Sequence, residues 1–353
     1  MKVTESPYLS DVLTQPQALQ LALSRFNPDP LKQLAGDLAG SRFDRIILTG
    51  MGASFYSLYP TWLYLSRSGM PVLWVDTAEL LHYARGQITR DSLVWIVSQS
   101  GRSAEILTLL DRLANIQPAG VIGTTNDLSS PLAGAVERGI GSSILLPIDA
   151  DPETTISTRT YMNSLAICQL AARLLCAADL SPAQEALQVT AQAMEVYLQG
   201  WETHLQEIAA QVGKPGKLVL LGRGSSLASV YCGALVIGEA GGGLALGMPA
   251  GQFRHGPLEM CSPDLTVILF AGEPATRDLN QRLAATLKSC GARVYWVGSE
   301  VESLPTLPMP LVGGIGRPLA EMLPIQLLTI FLAEQAGVVP GQFRHIGKVT
   351  LVE

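Results

Sequence analysis

A short glycine-serine signature occurs twice in this chain, each time where an apolar run ends. Arg45-Ile46-Ile47-Leu48 leads into Thr49-Gly50-Met51-Gly52-Ala53-Ser54, and Lys217-Leu218-Val219-Leu220-Leu221 leads into Gly222-Arg223-Gly224-Ser225-Ser226. Two further matches keep nearly the same offset: His82 with His255, and the apolar run 93–97 with 265–269. A single G-x-G-x-S would carry little weight, but three features in register predict a tandem duplication.

The runs between the two signatures are short, apolar and closed by Gly or Ser. In the first half they are Arg45-Ile46-Ile47-Leu48, Val72-Leu73-Trp74-Val75, Leu93-Val94-Trp95-Ile96-Val97, Val121-Ile122-Gly123 and Ile144-Leu145-Leu146, with helical patterns between them. Alternation of this kind predicts an α/β fold in which five parallel strands are covered by helices, doubly wound as in flavodoxin. The expected organisation is an N-terminal helical segment (1–30), a first domain (31–180), a helical connection rich in Ala, Gln and Leu (181–212) and a second domain (213–353), opened by the loop Gly213-Lys214-Pro215-Gly216.

Composition narrows the function. With 48% hydrophobic and 15% charged residues, the chain can bury large cores. Its net charge of -6 is scattered, without the basic stripe that tracks a phosphate backbone, so no nucleic-acid partner is expected. Cys168, Cys176, Cys232, Cys261 and Cys290 are odd in number and form no C-x-x-C, which points to a reducing cytoplasm and no zinc site. The start, MKVTESPYLSDVL, lacks a signal-peptide profile. The stretch 322–333 contains Pro324 and Gln326; it is expected to be a buried helix too short to cross a bilayer, so no membrane partner is expected.

The strongest chemical signal is Ser98-Gln99-Ser100-Gly101-Arg102-Ser103, placed where a buried strand ends and the helical Ala104-Glu105-Ile106-Leu107 begins. Helix N-termini carry unpaired amides and positive potential, the serines and Gln99 add donors, and Gly101 allows close approach, so this turn suits an anion, most simply a phosphate. The competing reading is an ordinary serine-rich cap. The second half has Phe270-Ala271-Gly272-Glu273-Pro274 at the matching place, without the hydroxyls, which favours one phosphate-holding domain. Another polar cluster, Glu153-Thr154-Thr155-Ile156-Ser157-Thr158-Arg159-Thr160, reads as a capping box with surface threonines, or, beside the phosphate turn, as ligand contacts through Ser157 and Thr158.

Acid–base groups are few. His255 lies in the loop Gly251-Gln252-Phe253-Arg254-His255-Gly256-Pro257, whereas His204 falls on an amphipathic helix and reads as structural. Glu239 follows Ala234-Leu235-Val236-Ile237-Gly238; a carboxylate in so apolar a helix is costly unless paired or functional, and burial would raise its pKa toward that of a general base. Lys348, near the end of the chain, reads on chemistry alone as a solvated tail residue.

Together Gly50-x-Gly52-x-Ser54, Ser98-Gln99-Ser100-Gly101-x-Ser103, Arg254-His255-Gly256-Pro257 and the Lys348 tail closing on Leu351-Val352-Glu353 resemble the sugar isomerase (SIS) domain proteins, in particular the isomerase half of glutamine–fructose-6-phosphate amidotransferase. The resemblance implies two tandem SIS domains. It implies a sugar phosphate held by Ser98, Gln99, Ser100 and Ser103, with Ser54 and Ser157 as further contacts. It also implies that His255 opens the sugar ring, often from the neighbouring subunit of a homodimer, that Glu239 shuttles a proton between C1 and C2, and that Lys348 lies near the carbonyl carbons. No metal or redox cofactor is expected. The family's E-G-A-L-K-L-K-E helix is Cys232-Gly233-Ala234-Leu235-Val236-Ile237-Gly238-Glu239 here, and its A-G-E-L-[KR]-H-G-P is Ala250-Gly251-Gln252-Phe253-Arg254-His255-Gly256-Pro257. Met1 is followed by Lys2 rather than a nucleophilic cysteine, so no glutaminase chemistry is expected. The expected activity is isomerisation, deamination or deglycation of an amino-sugar or fructosamine 6-phosphate. The alternative is a non-catalytic sugar-phosphate sensor. A nicotinamide enzyme is set aside because Phe55 stands where G-x-G-x-x-G needs its third glycine.

Overall fold

The computed structural model describes residues 6–40, 43–345 and 347–352; the Met1-Lys2 start and Glu353 of the tail lie outside the described residues. Two compact units result. One holds Gln17–Glu153, Arg159–Leu187 and Arg344–Glu353; the other holds the N-terminal residues to Pro16, Thr154–Thr158 and Gln188–Phe343.

In the first of these units, β1 (Arg45–Gly50), β2 (Val72–Trp74), β3 (Ser92–Val97), β4 (Gly120–Thr125) and β5 (Ile144–Pro147) form one parallel sheet in the order β2-β1-β3-β4-β5. Residues one apart on a strand face opposite sides. Thus Ile46, Leu48, Trp95 and Val97 pack against Ile167, Cys168 and Ala171 of the helix Arg159–Leu175. Ile47, Val94 and Ile96 pack against Ile106, Leu109 and Leu113 of the helix Ala104–Ile116. Burial on both faces is why these strands read as unbroken apolar runs.

The second unit has β6 (Lys217–Gly222), β7 (Ala245–Pro249), β8 (Leu265–Phe270), β9 (Arg293–Val297) and β10 (Thr306–Leu307), all parallel, in the order β10-β9-β8-β6-β7. Counted from its own first strand, this is the same order as the other sheet. Each sheet therefore reverses direction between its first and third strands, where doubly wound sheets open a crevice at the carboxyl edge.

One expectation needs correction. The apolar stretch around Pro324 is a 20-residue helix, Arg317–Ala336, and the span Gly314–Ala336 is long and apolar enough to cross a membrane by length and composition. It is instead a core helix, with 89% of its apolar window buried within the protein. An interior proline costs about 3 kcal/mol. Leu323, Ile325, Leu327, Leu328 and Ile330 are all buried, at about 1.5–3 kcal/mol each. Packing wins, and the helix runs through the proline.

Candidate active site

In the β1–β5 sheet the reversal lies between the ends of β1 and β3. Ser98 extends the ladder by one bond, its N–H donating to Thr124 O at 3.0 Å, and the chain then turns at Gly101. Gly101 has φ +61°, and a Cβ there would lie 2.2 Å from Ser130 Oγ, so no other residue fits this turn.

Ser103 occupies the N-cap position of the helix Ala104–Ile116 with extended backbone, yet its side chain makes no capping hydrogen bond. The ordinary cap reading therefore does not account for Ser103. Ser98 and Ser100 do act locally: Ser98 Oγ accepts from Gly101 N–H at 3.1 Å and Ser100 Oγ from Arg102 N–H at 3.3 Å. Each hydroxyl keeps its own proton to donate. Gln99 is half-buried and its carbonyl accepts from Asn126 N–H at 3.1 Å. Arg102 pairs with Asp127, whose carboxyl is held low chiefly by the Ser129 hydroxyl. Ser54 is half-buried in the short helix Gly52–Ser57, which starts just after β1.

The C-terminal tail reaches this turn. Thr350 O accepts from Ala104 N–H, the first amide of the helix, at 3.0 Å. Two residues earlier, Lys348 is no solvated tail lysine: its Nζ donates to Glu153 O and lies 3.6 Å from Glu153 Oε2. The Glu153 carboxylate is fully enclosed and accepts from Thr160 N–H at 2.9 Å and Thr160 Oγ1 at 2.6 Å. Glu153 thus caps the helix Arg159–Leu175 from outside it rather than as part of a capping box, and Thr155, Thr158 and Thr160 are buried rather than on the surface. The capping residue doubles as the anchor of Lys348, which spacing alone does not reveal.

Ser157 is half-buried in Thr154–Thr158, which packs with the β6–β10 unit. That unit also carries Glu239 and His255. Glu239 sits one residue before the end of the helix Leu227–Ala240, half-buried, and burial lifts its carboxyl to about 7. Its position at the negative end of a helix works in the same direction. Tyr8, fully buried in the same unit, has its phenol pushed up, first by burial and also by the Glu239 charge, so it stays protonated beside that acid. Tyr8 carries no sequence signal of this role. His255 is exposed in the turn after the helix Ala250–Phe253, its N–H donating to Gln252 O at 2.9 Å. His204 stacks on Tyr197, ring centroids 4.1 Å apart, in keeping with a structural role.

At the matching reversal of the second sheet, between β6 and β8, the hydroxyl turn is replaced by Glu273. Its Oε1 accepts from Ser225 N–H at 3.3 Å. Ser226, which holds the place of Ser54, donates to Glu321 Oε1 at 2.7 Å, and Ser229 donates to Oε2 at 2.9 Å.

Comparison with known proteins bears on the fold and the family. The model of the SIS domain matches residues 39–174 and 213–303, more than half of the chain. The chain belongs to the SIS domain family. Among curated SIS relatives, glutamine–fructose-6-phosphate aminotransferase [isomerizing] of Pyrococcus horikoshii is 26% identical over 98% of this chain, which spans 57% of that protein's length. The SIS fold is shared with the solved structure of tagatose-6-phosphate ketose/aldose isomerase from Escherichia coli, at TM-score 0.82 and 18% identity over 97% of this chain and 96% of that one. It is shared too with glucosamine-6-phosphate deaminase from Thermotoga maritima, at TM-score 0.78 and 18% identity over 98% of this chain and all of that one.

Proposed function

We propose that this SIS protein binds the phosphate of an open-chain sugar phosphate at the 98–103 turn and catalyses proton transfer between C1 and C2, as an aldose–ketose isomerase, or a deaminase or deglycase of an amino-sugar or fructosamine 6-phosphate. The observation that carries this reading is the turn at the β1/β3 reversal, which places Ser103 at a helix N-terminus without using its hydroxyl as a cap. Ser98, Ser100, Ser103 and Gln99 supply donors to the dianion, and Ser54 and Ser157 are further contacts. The Ser98 and Ser100 hydroxyls donate their protons to phosphate while still accepting their local backbone bonds.

Opening the ring is assigned to His255, and carrying the proton between the two carbons to Glu239. A carboxyl near 7 can both take and return a proton at neutral pH, which an ordinary carboxylate near 4.5 does poorly. Lys348, held by Glu153, places positive charge beside the oxyanion that develops as the enediol or enolamine forms. The working form is a homodimer in a reducing cytoplasm, in keeping with five free cysteines.

The reading is tested in deuterated water with fructose 6-phosphate, glucosamine 6-phosphate and a fructosamine 6-phosphate. The expected result is deuterium entering C1 or C2 of one of them, and its loss in Glu239→Gln. Binding without exchange for every sugar would identify a sensor and remove the catalytic assignment.

A further inference from the structure

A cavity of about 210 Å³ opens at the carboxyl edge of the second sheet. Ala271 closes it at the end of β8 and Ser299 just past β9; Arg277 comes from the helix Pro274–Ser289, and Arg317 and Glu321 from the start of the helix Arg317–Ala336. It belongs to a different sheet from the 98–103 turn and shares no residue with the sugar-phosphate assignment.

Its charge is unusual for a structural void. Both helices present their N-termini, the positive ends of their dipoles; Glu273 stands at the N-cap of one, whereas Gly316 is the N-cap of the other. Arg317 is the first residue of its helix and Arg277 the fourth of the other, so two cations stand where the dipoles already oppose them. Glu321, the acid in this wall, accepts from the Ser226 and Ser229 hydroxyls. Arg277 donates to Ser299 Oγ, and the Trp296 indole N–H fixes that turn by donating to Ser299 O at 3.1 Å. Arg317 Nε is buried and has no hydrogen-bond partner among the described residues. A buried guanidinium N–H without an acceptor is costly, and the side chain that carries it also borders the cavity.

We propose that this cavity binds a small oxyanion ligand, through a carboxylate or phosphate group, with the guanidinium groups of Arg317 and Arg277 as donors. Two forked guanidinium donors match the geometry of a carboxylate or phosphate better than a single ammonium would.

The test is calorimetric titration of the full chain in chloride buffer with inorganic phosphate and, separately, with lactate. The Gly101→Ala variant is used so that the first-sheet turn contributes no heat. Saturable binding of either anion is expected, weakened at least about tenfold in Arg317→Met and in Arg277→Met. Phosphate alone would mark a phosphate-bearing ligand and lactate alone an organic acid; both results support the site. No binding of either anion, or affinity unchanged in both arginine variants, overturns it. A second measurement needs no arginine variant. Phosphate or lactate should slow phenylglyoxal modification of Arg277 and Arg317 in the wild-type chain, read by peptide mass spectrometry, and unchanged rates overturn the proposal.

Discussion

Glu273 Oε1 accepts a hydrogen bond from Ser225 N–H at 3.3 Å, so at the reversal of the second sheet the protein supplies its own anion. At the corresponding turn of the first sheet the N-cap is the uncharged Ser103. The two halves thus share a strand order and differ in the charge at one helix N-terminus. Removing the charge alone, in Glu273→Gln, should cost about 1 kcal/mol. For a unit of this size that lowers the melting midpoint by about 2–4 °C. Calorimetry at low salt checks this, and the loss should shrink as salt is added.

The serines of the two G-x-G-x-S signatures are expected to respond differently. Ser226 donates to the buried Glu321, so Ser226→Ala leaves a carboxyl oxygen without its donor and should destabilise by about 1–3 kcal/mol. Ser54 is assigned to the ligand, so Ser54→Ala should leave the melting midpoint nearly unchanged and raise the KM for the sugar phosphate. Equal stability losses in the two variants would show that Ser54 is structural as well.

Much of this was legible from residues. Buried parallel strands announce themselves as apolar runs ending in Gly or Ser, and Gly50, Gly52, Gly222 and Gly224 mark the two reversals because the backbone turns sharply there. The anchoring of Lys348 was not legible, because Glu153 lies far away in sequence and its spacing to Thr160 signals only a cap. The partners of Glu321 were hidden for the same reason: Ser226 and Ser229 meet it only once their helix lies against the helix Arg317–Ala336. The length of that helix was underestimated because Arg317 and Glu321 interrupt the apolar run in the sequence, while the helix continues through them.

Stability should fall as pH rises through neutrality. Burial lifts both Glu239 and Glu321 to about 7, above the ordinary 4.5. Between those values the folded chain binds more protons than the unfolded chain, so the stability these groups confer when protonated is fully present below about 4.5 and is lost as pH climbs to about 7. Glu239→Gln should flatten that part of a denaturation-versus-pH curve. Turnover should run the other way, rising with the ionised fraction of Glu239 around pH 7, and in Glu239→Gln it should fall by about a hundredfold or more.

Glu153 is expected to act through Lys348. Glu153→Gln removes the charge facing Nζ but can still accept from Thr160. It should lower kcat more than it raises KM, and shift the alkaline limb of the pH–rate profile downward as Lys348 loses its counter-ion. A purely structural Glu153 would lower stability with that limb unmoved.

The central claim is that the turn after β3 receives a phosphate dianion, and the most direct measurement is titration of the intact chain with fructose 6-phosphate and glucosamine 6-phosphate, followed by the same titration of Ser103→Ala and Gly101→Ala. The account predicts saturable binding of at least one sugar phosphate, weakened about tenfold or more in Ser103→Ala and abolished in Gly101→Ala. Sugar-phosphate binding of undiminished affinity in both variants would contradict it.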